Sequence, residues 1–244
     1  MRAVAIIPAR FAASRFPGKP LAKIAGVPLL QRVWEGARTA KSVGRVIVAT
    51  DDPRIVAACR GFGAEVAMTR ASHPTGTDRI AEVAAGVDAD VVVNVQGDEP
   101  LIEGHVIDAA VELLAADPAL AMSTVAHAAE PGAQDDPNRV KVVIDRRGRA
   151  LYFSRSPLPY VRDVAPPQIW QHVGLYVYRR PFLLEFVQLA PAALERAESL
   201  EQLRALENGF AIGVATVEGW RSVPVDVPGD VALVEAVLRE RSRC

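Results

Sequence analysis

Residues 5–21, AIIPARFAASRFPGKPL, decide the fold and the chemistry that we expect of this chain. The apolar run Val4–Ile7 predicts a buried first strand, and Pro8 ends that strand and begins a loop. The loop contains three cations, one turn-forming glycine and no carboxylate: Arg10, Arg15, Lys19 and Gly18. Guanidinium groups bind phosphate oxygens in pairs, and a lysine ammonium acts as a point charge. The stretch therefore predicts a polyphosphate site at the end of the first strand, with a solvated basic loop as the alternative.

The bulk composition favours one sizeable domain. The 244 residues, half of them hydrophobic, are enough to bury one core, so we expect a single domain over residues 1–244. The 28 lysines and arginines nearly balance 29 aspartates and glutamates, which argues against binding to nucleic acid or to an anionic membrane. Cys59 and Cys244 form neither a disulfide framework nor a metal-ligand spacing, and no apolar run approaches a membrane span. We expect a cytoplasmic protein without membrane insertion.

Strands and helices alternate through the first half of the chain. The runs RVIVATDD at 45–52 and VVVNV at 91–95 are typical of buried strands, and a helical pattern follows each. This order predicts an α/β fold with a doubly wound, mostly parallel Rossmann-like sheet. From Ala119 the pattern changes to β-rich runs, with a hairpin turn at DRRG, residues 145–148. We therefore expect an antiparallel subregion over roughly residues 119–180.

Carboxylates follow several of the predicted strands, at the edge of the sheet where ligands bind in open parallel folds. They are Asp51, Asp52, Asp98, Glu99 and Asp226. Asp98, in the segment QGDEP, is the strongest candidate to hold a divalent cation, because Mg²⁺ prefers one or two carboxylates together with phosphate and water. For Asp98 and Asp226 the alternative is a turn or helix-capping aspartate.

Other polar residues have both a functional and a structural interpretation. Thr77 is expected to cap the helix that follows it. Gln96 offers a donor and an acceptor, and Arg155 could clamp a carboxylate or pair with a surface acid. Glu201 and Gln202 could equally lie on an ordinary solvated helix face.

One of the four histidines shares a strand face with a tyrosine, and the other three have no motif around them. His172 and Tyr176 lie four residues apart on a predicted strand, so their side chains share one face. A histidine in that position is more often a packing residue than a ligand-binding one. His73, His105 and His127 are expected to be structural.

Ordered blocks of the sequence resemble the 3-deoxy-manno-octulosonate cytidylyltransferase family. The blocks are IPARFAASRFPGKPL at 7–21, VIVATDD at 46–52, TGTDRIAE at 75–82, VVNVQGDEPLI at 92–102, VKVVID at 140–145, ALYFSRSPLPY at 150–160, HVGLYVY at 172–178, LEQLRALENG at 200–209 and VD at 225–226. They reach from the first strand nearly to the last helix, and together they are far more specific than any single block.

The resemblance implies a fold, an activity and an assembly. The fold is of the nucleotide-diphospho-sugar transferase type, and the assembly is a homodimer. The antiparallel subregion over roughly residues 119–180 is then the expected region for sugar binding and dimerisation. The activity is Mg²⁺-dependent transfer of CMP from CTP to the anomeric 2-hydroxyl of 3-deoxy-D-manno-octulosonate (Kdo), releasing pyrophosphate, for lipopolysaccharide synthesis. Arg10, Lys19 and Asp98 are then the catalytic residues, and Asp98 and Asp226 hold magnesium.

Two further sets of residues follow from the same resemblance. The implied nucleotide-binding positions are Ala9, Arg10, Lys19, Gly76, Thr77 and Arg79, to which the basic loop adds Arg15 and the segment QGDEP adds Asp98. The implied positions of the acceptor-sugar pocket are Gln96, Arg155, His172, Tyr176, Glu201 and Gln202.

One segment departs from the family pattern, and other activities stay open. Where the family usually continues VDTPEDL, residues 225–231 are VDVPGDV, which puts the local capping in doubt but keeps the first aspartate. The alternatives are a nucleotidyltransferase for 8-amino Kdo, a nonulosonate or a sugar phosphate, and a non-catalytic nucleotide-binding module. The absence of GxGxxG and GxxxxGK[ST] motifs argues against a dinucleotide site and a Walker-type NTPase.

Overall fold

The computed structural model describes residues 1–12, 16–162 and 167–241. They form two compact units: the first contains residues 1–108 and the chain from Ser222 onward, and the second contains residues 109–221. A single domain over residues 1–244 stays a prediction, since compact units within a chain do not by themselves define separately folding domains.

Strands and helices alternate as far as residue 116. The elements are β1 (Ala3–Ala9), a 3-10 turn (Lys19–Leu21), β2 (Lys23–Ile24), β3 (Val27–Pro28), α1 (Leu29–Ala37), β4 (Val43–Thr50), α2 (Pro53–Gly61), β5 (Glu65–Met68), α3 (Gly76–Ala85), β6 (Val91–Asn94) and α4 (Gly104–Ala116).

The remaining chain is richer in strand and closes with a helix. Its elements are β7 (Met122–Ala128), a 3-10 turn (Ala133–Asp135), β8 (Lys141–Ile144), β9 (Ala150–Ser154), β10 (Trp170–Arg179), α5 (Arg180–Phe186), α6 (Ala193–Glu198), α7 (Leu203–Glu207), β11 (Ile212–Val217) and α8 (Asp230–Arg241). Within the described residues, none of the helices combines the length and the apolar character that crossing a membrane would require.

The first unit contains a parallel sheet in the order β6, β1, β4, β5. The apolar runs Val4–Ile7 and Val91–Val93 are buried, as expected of strands covered on both faces. β2 and β3 form a separate two-stranded ribbon. The predicted doubly wound, mostly parallel α/β fold is confirmed here.

The second unit mixes both kinds of pairing. β10 is antiparallel to β7 and to β8, whereas β11 is parallel to β7. β8 and β9 form an antiparallel hairpin, and the Gly148 N–H donates to the Asp145 carbonyl across the turn at 3.1 Å. Gly148 has a φ of 76°, which favours glycine at this position. The antiparallel pairing that was predicted from Ala119 onward is therefore present.

The chain packs closely where β1 ends. A Cβ on Gly97, after β6, would lie 2.9 Å from the Pro8 carbonyl oxygen, and one on Gly76 would lie 3.3 Å from the Pro8 side chain. The start of α3 and the loop after β6 thus both contact the end of β1. Because parallel strands present their carboxyl ends at one edge, residues from these segments collect there.

The N-terminus of α3 corrects one sequence expectation. Thr75, and not Thr77, is the N-cap: its hydroxyl accepts from the Asp78 N–H at 3.1 Å, and the Asp78 carboxylate accepts from the Thr75 N–H at 3.1 Å. This reciprocal capping box requires an acid three residues after the cap, and only the spacing from Thr75 to Asp78 provides it. Thr77 lies buried in the first helical turn.

Candidate active site

A tight turn fixes the direction from which Lys19 enters the site. Gly18 has a φ of 74°, and its N–H donates to the Phe11 carbonyl at 2.9 Å. The 3-10 turn begins directly after Gly18, with Pro20 buried in it. A Cβ at position 18 would lie 3.2 Å from the Phe11 ring, so a larger residue would be both strained and crowded. The sequence PGKP therefore holds Lys19 in place.

Lys19 joins the two aspartates that the sequence singled out. Its Nζ lies 3.1 Å from Asp98 Oδ2 and 3.7 Å from Asp226 Oδ1, and it donates to the Val225 carbonyl at 2.8 Å. The Val225 N–H donates in turn to the Asp98 carbonyl at 2.9 Å, so the two segments are also joined through their main chains. We call Lys19, Asp98 and Asp226 the carboxylate cluster.

Asp230 supplies the local capping beside Asp226. Its Oδ2 accepts from the Asp226 N–H at 2.7 Å and from the Val227 N–H at 2.9 Å. This carboxylate belongs to the part of VDVPGDV that matches the family pattern. The missing threonine and glutamate therefore do not leave the segment uncapped.

A buried carboxyl lies directly after Asp98 in the sequence. The Glu99 side chain accepts a hydrogen bond from the Ser222 hydroxyl, and its Oε2 has no partner among the described residues. Burial raises the pKa of Glu99 to about 8, and the negative charges of Asp98 and Asp226 add to this effect. Sequence reasoning placed Glu99 after the strand but gave no signal for the contact with Ser222, which comes from a distant segment.

Arg10 is held by the loop before α3. Its Nη2 donates to the His73 carbonyl at 2.6 Å and to the Thr75 carbonyl at 2.8 Å. Nε and Nη1 have no hydrogen-bond partner among the described residues, so these N–H groups are available to an anion.

His73 and Glu82 fix the same loop. The His73 ring contacts the Glu82 carboxylate, which also accepts from the Arg70 N–H at 3.2 Å. The hydrogen bond with His73 lowers the pKa of Glu82. His73 was expected to be structural, and its carbonyl proves to be one of the two groups that orient Arg10.

Arg79 is completely buried. Its Nη1 donates to the Thr69 hydroxyl, and its Nη2 lies 3.3 Å from Asp51 Oδ1. Burial lowers the pKa of this guanidinium, and the Asp51 carboxylate opposes the shift. The side chain thus already has an acidic and a hydroxyl partner, and its predicted contact with nucleotide stays a prediction.

Three of the remaining predicted nucleotide positions lie at the end of β1 and at the start of α3. Ala9 is the last residue of β1, and Gly76 and Thr77 begin α3. The first turn of a helix has main-chain N–H groups that suit an anion. Arg15 lies outside the described residues.

In the second unit, three predicted pocket residues form a buried polar group, which we call the His172 cluster: His172, Tyr176 and Gln202. The rings of His172 and Tyr176 lie 5.5 Å apart between centroids, on the shared face that the sequence predicted. The Tyr176 hydroxyl donates to Gln202 Oε1 at 3.0 Å. The buried Nε2 of Gln202 has no partner among the described residues and can donate to a ligand.

Burial keeps this cluster uncharged. It lowers the pKa of His172 to about 3, so the imidazole is neutral at physiological pH. Burial also raises the pKa of Tyr176, and the nearby charge of Glu201 adds to that shift. Gln202 is not on a solvated helix face, since it precedes α7 and is buried.

Arg155 is bound to main-chain carbonyls rather than to a surface acid. Its guanidinium donates to the carbonyls of Glu198 at 2.8 Å, Pro137 at 2.9 Å and Ser199 at 3.4 Å. The buried Lys141 ammonium donates to the Arg155 carbonyl at 2.7 Å. Three donors of the guanidinium are therefore in use, and two of its five N–H groups stay available to a carboxylate.

Glu201 and Gln96 are the two remaining predicted pocket residues. Glu201 Oε1 lies 3.8 Å from the Arg204 guanidinium. Gln96 belongs to the first unit, where its amide donates to Asn94 Oδ1 at 3.4 Å. Their predicted contacts with the sugar stay predictions.

The carboxylate cluster fits a magnesium ion by its donor chemistry. Among the described residues, no three His, Cys, Asp or Glu side chains are grouped so as to hold a metal on their own. Asp98 and Asp226 nevertheless converge on one ammonium. Two carboxylates beside a phosphate are the protein ligands that Mg²⁺ commonly uses, with water and phosphate completing its shell.

Comparison with known proteins identifies the family of this chain. The cytidylyltransferase family model matches residues 4–214. The 3-deoxy-manno-octulosonate cytidylyltransferase of Syntrophotalea carbinolica is 53% identical, over 98% of this chain and 99% of its own length. The protein of the same name from Geobacter metallireducens is also 53% identical, over 100% of this chain and 99% of its own length. The chain belongs to the 3-deoxy-manno-octulosonate cytidylyltransferase family. The membership that the sequence blocks indicated is confirmed.

A solved structure supports the same conclusion for the fold. It is described as CMP:2-keto-3-deoxy-manno-octonic acid synthetase complexed with CTP, and it is 43% identical with a TM-score of 0.94. The match covers 99% of this chain and 100% of that one. The family's fold therefore extends over nearly all of the present chain.

Proposed function

We propose that this enzyme transfers CMP from CTP to the anomeric 2-hydroxyl of Kdo, giving CMP-Kdo and pyrophosphate. The relatives named for this activity at 53% identity, and the related structure with CTP, support the choice of substrates. The observation that carries the proposal is the carboxylate cluster, in which Lys19 Nζ lies 3.1 Å from Asp98 and 3.7 Å from Asp226.

The cluster suits displacement at a phosphorus atom, where a protein contributes mainly positioning and charge neutralisation. Asp98 and Asp226 would hold Mg²⁺, which when bound offsets phosphate charge and acidifies a coordinated hydroxyl. Lys19 would stabilise negative charge that develops on the departing pyrophosphate. The free N–H groups of Arg10 would bind the same phosphates, with their direction set by the carbonyls of the loop before α3.

The His172 cluster suits the acceptor. Gln202 offers a buried, unpartnered amide donor, and Nδ1 of the neutral imidazole has no hydrogen bond to a described residue, whereas Nε2 contacts the Thr124 hydroxyl at 2.9 Å. Sugar hydroxyls need both kinds of partner, whereas a phosphate would call for more cations than this cluster contains. The two available N–H groups of Arg155 would bind the carboxylate of the sugar acid. These features favour a polyhydroxylated acid over a sugar phosphate.

We infer a homodimer in the cytoplasm, acting in lipopolysaccharide synthesis. Within the described residues β9 pairs only with β8, and Leu151 on it is 60% exposed. Tyr160, shortly after β9, is 87% exposed. An unpaired strand edge beside exposed apolar side chains favours association with a second copy. Light scattering on the purified protein would give the dimer mass if this is right and the monomer mass if it is not.

The activity is tested by measuring pyrophosphate release with each of four nucleoside triphosphates against Kdo, 8-amino Kdo, a nonulosonate and a sugar phosphate. We expect release only with CTP, Kdo and Mg²⁺ together, and none after EDTA treatment. Faster release with another acceptor would assign that acceptor instead. Binding of CTP without release under any condition would indicate a non-catalytic module.

A further inference from the structure

Thr124 bonds the bulged part of β10 and the His172 ring at once. The pairing of β10 with β7 shifts register between Val173 and Tyr176, so residues 174 and 175 have no partner on β7. The Thr124 hydroxyl lies 2.7 Å from the Leu175 carbonyl oxygen and 3.2 Å from the Val173 carbonyl oxygen. It also lies 2.9 Å from Nε2 of His172.

The hydrogen count at this hydroxyl fixes the imidazole tautomer. A hydroxyl has one proton to donate, and a carbonyl oxygen can only accept. The shortest contact is to the carbonyl of buried Leu175, an acceptor that the bulge removes from the ladder with β7, so the proton is used there. The oxygen can then only accept from His172, and the ring proton must reside on Nε2. Nδ1 is left with a lone pair and no hydrogen bond to any described residue.

We propose that Thr124 is a positioning residue that holds His172 in its Nε2–H form, so that Nδ1 offers an acceptor to a hydroxyl of the sugar acid. This rests on the proposed function, in which His172 lines the acceptor pocket. A lone pair attracts a hydroxyl proton and repels a carboxylate. The sugar carboxylate must therefore lie against another group, for which Arg155 is the candidate.

The surroundings of the ring support the neutral form. His172 packs edge-on against Phe153 with ring centroids 4.9 Å apart, and tilted against Tyr176 at 5.5 Å. Burial disfavours an imidazolium in such a site, and no carboxylate is bonded to either ring nitrogen among the described residues. The tautomer is therefore decided by the hydroxyl and not by a charged partner.

The direct measurement is the ¹⁵N chemical shift of the His172 ring nitrogens in the full-length protein. With four histidines in the chain, the His172→Gln spectrum assigns the resonance. We expect a protonated Nε2 and an unprotonated Nδ1 in the wild type. Protonation at Nδ1 would overturn the inference, whatever the activity.

The second measurement compares Thr124→Val, which removes the hydroxyl at nearly constant shape, with Thr124→Ser, which keeps it. We expect Thr124→Val to lose the fixed tautomer and to raise KM for Kdo roughly 3- to 10-fold, the effect of one neutral hydrogen bond, with KM for CTP unchanged. Thr124→Ser should keep the wild-type tautomer and the wild-type KM for Kdo. The matched control is Ser123→Ala, which removes the neighbouring buried hydroxyl that donates to the Ala110 carbonyl at 2.7 Å.

The two readouts separate this inference from the function on which it rests. A changed tautomer with an unchanged KM for Kdo would remove His172 from the acceptor pocket and overturn the proposed acceptor role. An unchanged tautomer in Thr124→Val would overturn the positioning role alone. Equal effects of Thr124→Val and Ser123→Ala on KM would reduce Thr124 to a packing residue, and if Thr124→Val does not fold, the wild-type tautomer and Thr124→Ser still decide.

Discussion

The two groups of candidate residues use opposite electrostatics. The carboxylate cluster in the first unit consists of three charged groups that are partly open to solvent, with Asp226 43% exposed at its side chain. The His172 cluster in the second unit is buried, and burial keeps its imidazole and its phenol neutral. Charge suits a polyphosphate and its metal, whereas neutral donors and acceptors suit a sugar. The comparison teaches that burial, as much as residue type, separates the two kinds of chemistry.

The largest effect is expected when a charge is removed from the carboxylate cluster. Asp98→Asn removes one of two carboxylates beside Lys19, and we expect kcat to fall by about 10³-fold, as when one charge-stabilising group is lost from such a site. The protein should stay folded, because the main-chain bond to Val225 is kept. Steady-state kinetics in saturating Mg²⁺ test this, with Asp88→Asn, which removes a surface ion pair with Arg2, as the control. Near-normal turnover of Asp98→Asn would remove Asp98 from the metal site.

Arg155 tests whether the neutral cluster has a charged partner for the sugar. Arg155→Ala should raise KM for Kdo by roughly 10- to 100-fold, the range of one charge-assisted hydrogen bond, and leave KM for CTP nearly unchanged. Thermal unfolding should also shift downward, since three carbonyls lose their donor. Arg139→Ala, which removes a half-exposed arginine near Asp136, is the control. A larger change in KM for CTP would assign Arg155 to the nucleotide.

Glu82 tests the support behind Arg10. Glu82→Ala removes the acceptor that holds His73 and Arg70, and we expect a rise of roughly 3- to 10-fold in KM for CTP with KM for Kdo unchanged. Glu82→Gln should recover part of this loss, because an amide oxygen can still accept. The control is Glu103→Ala, which removes an exposed carboxylate that lies near His105. If both alanine variants behave alike, the loop does not orient Arg10.

How much the sequence could predict follows the same division. The strand-end rule selected five carboxylates and favoured Asp98 through the segment QGDEP, whereas the pairing of Asp98 with Asp226 was predicted from the family resemblance. The cap at Thr75 could have been found, since the segment TGTD, residues 75–78, contains both the threonine and the acid of the capping box. The contact of Ser222 with Glu99 and the bulge beside Thr124 could not, because each depends on a distant segment or a register shift that leaves no local pattern.

The smallest effect is expected in the neutral His172 cluster when the pH is changed. With a pKa of about 3 in the folded state, His172 stays neutral above pH 5, so KM for Kdo should show no inflection near pH 6.5. The unfolded chain protonates this histidine below about pH 6.5, so it binds more protons than the folded state and stability falls as pH drops. Between pH 6 and 5, the free energy of unfolding measured in urea should therefore fall by up to about 1.4 kcal/mol more for the wild type than for His172→Gln. His105→Gln, an exposed histidine, is the control, and a KM for Kdo that rises steeply below pH 6.5 would mean that the ring is charged in the folded enzyme.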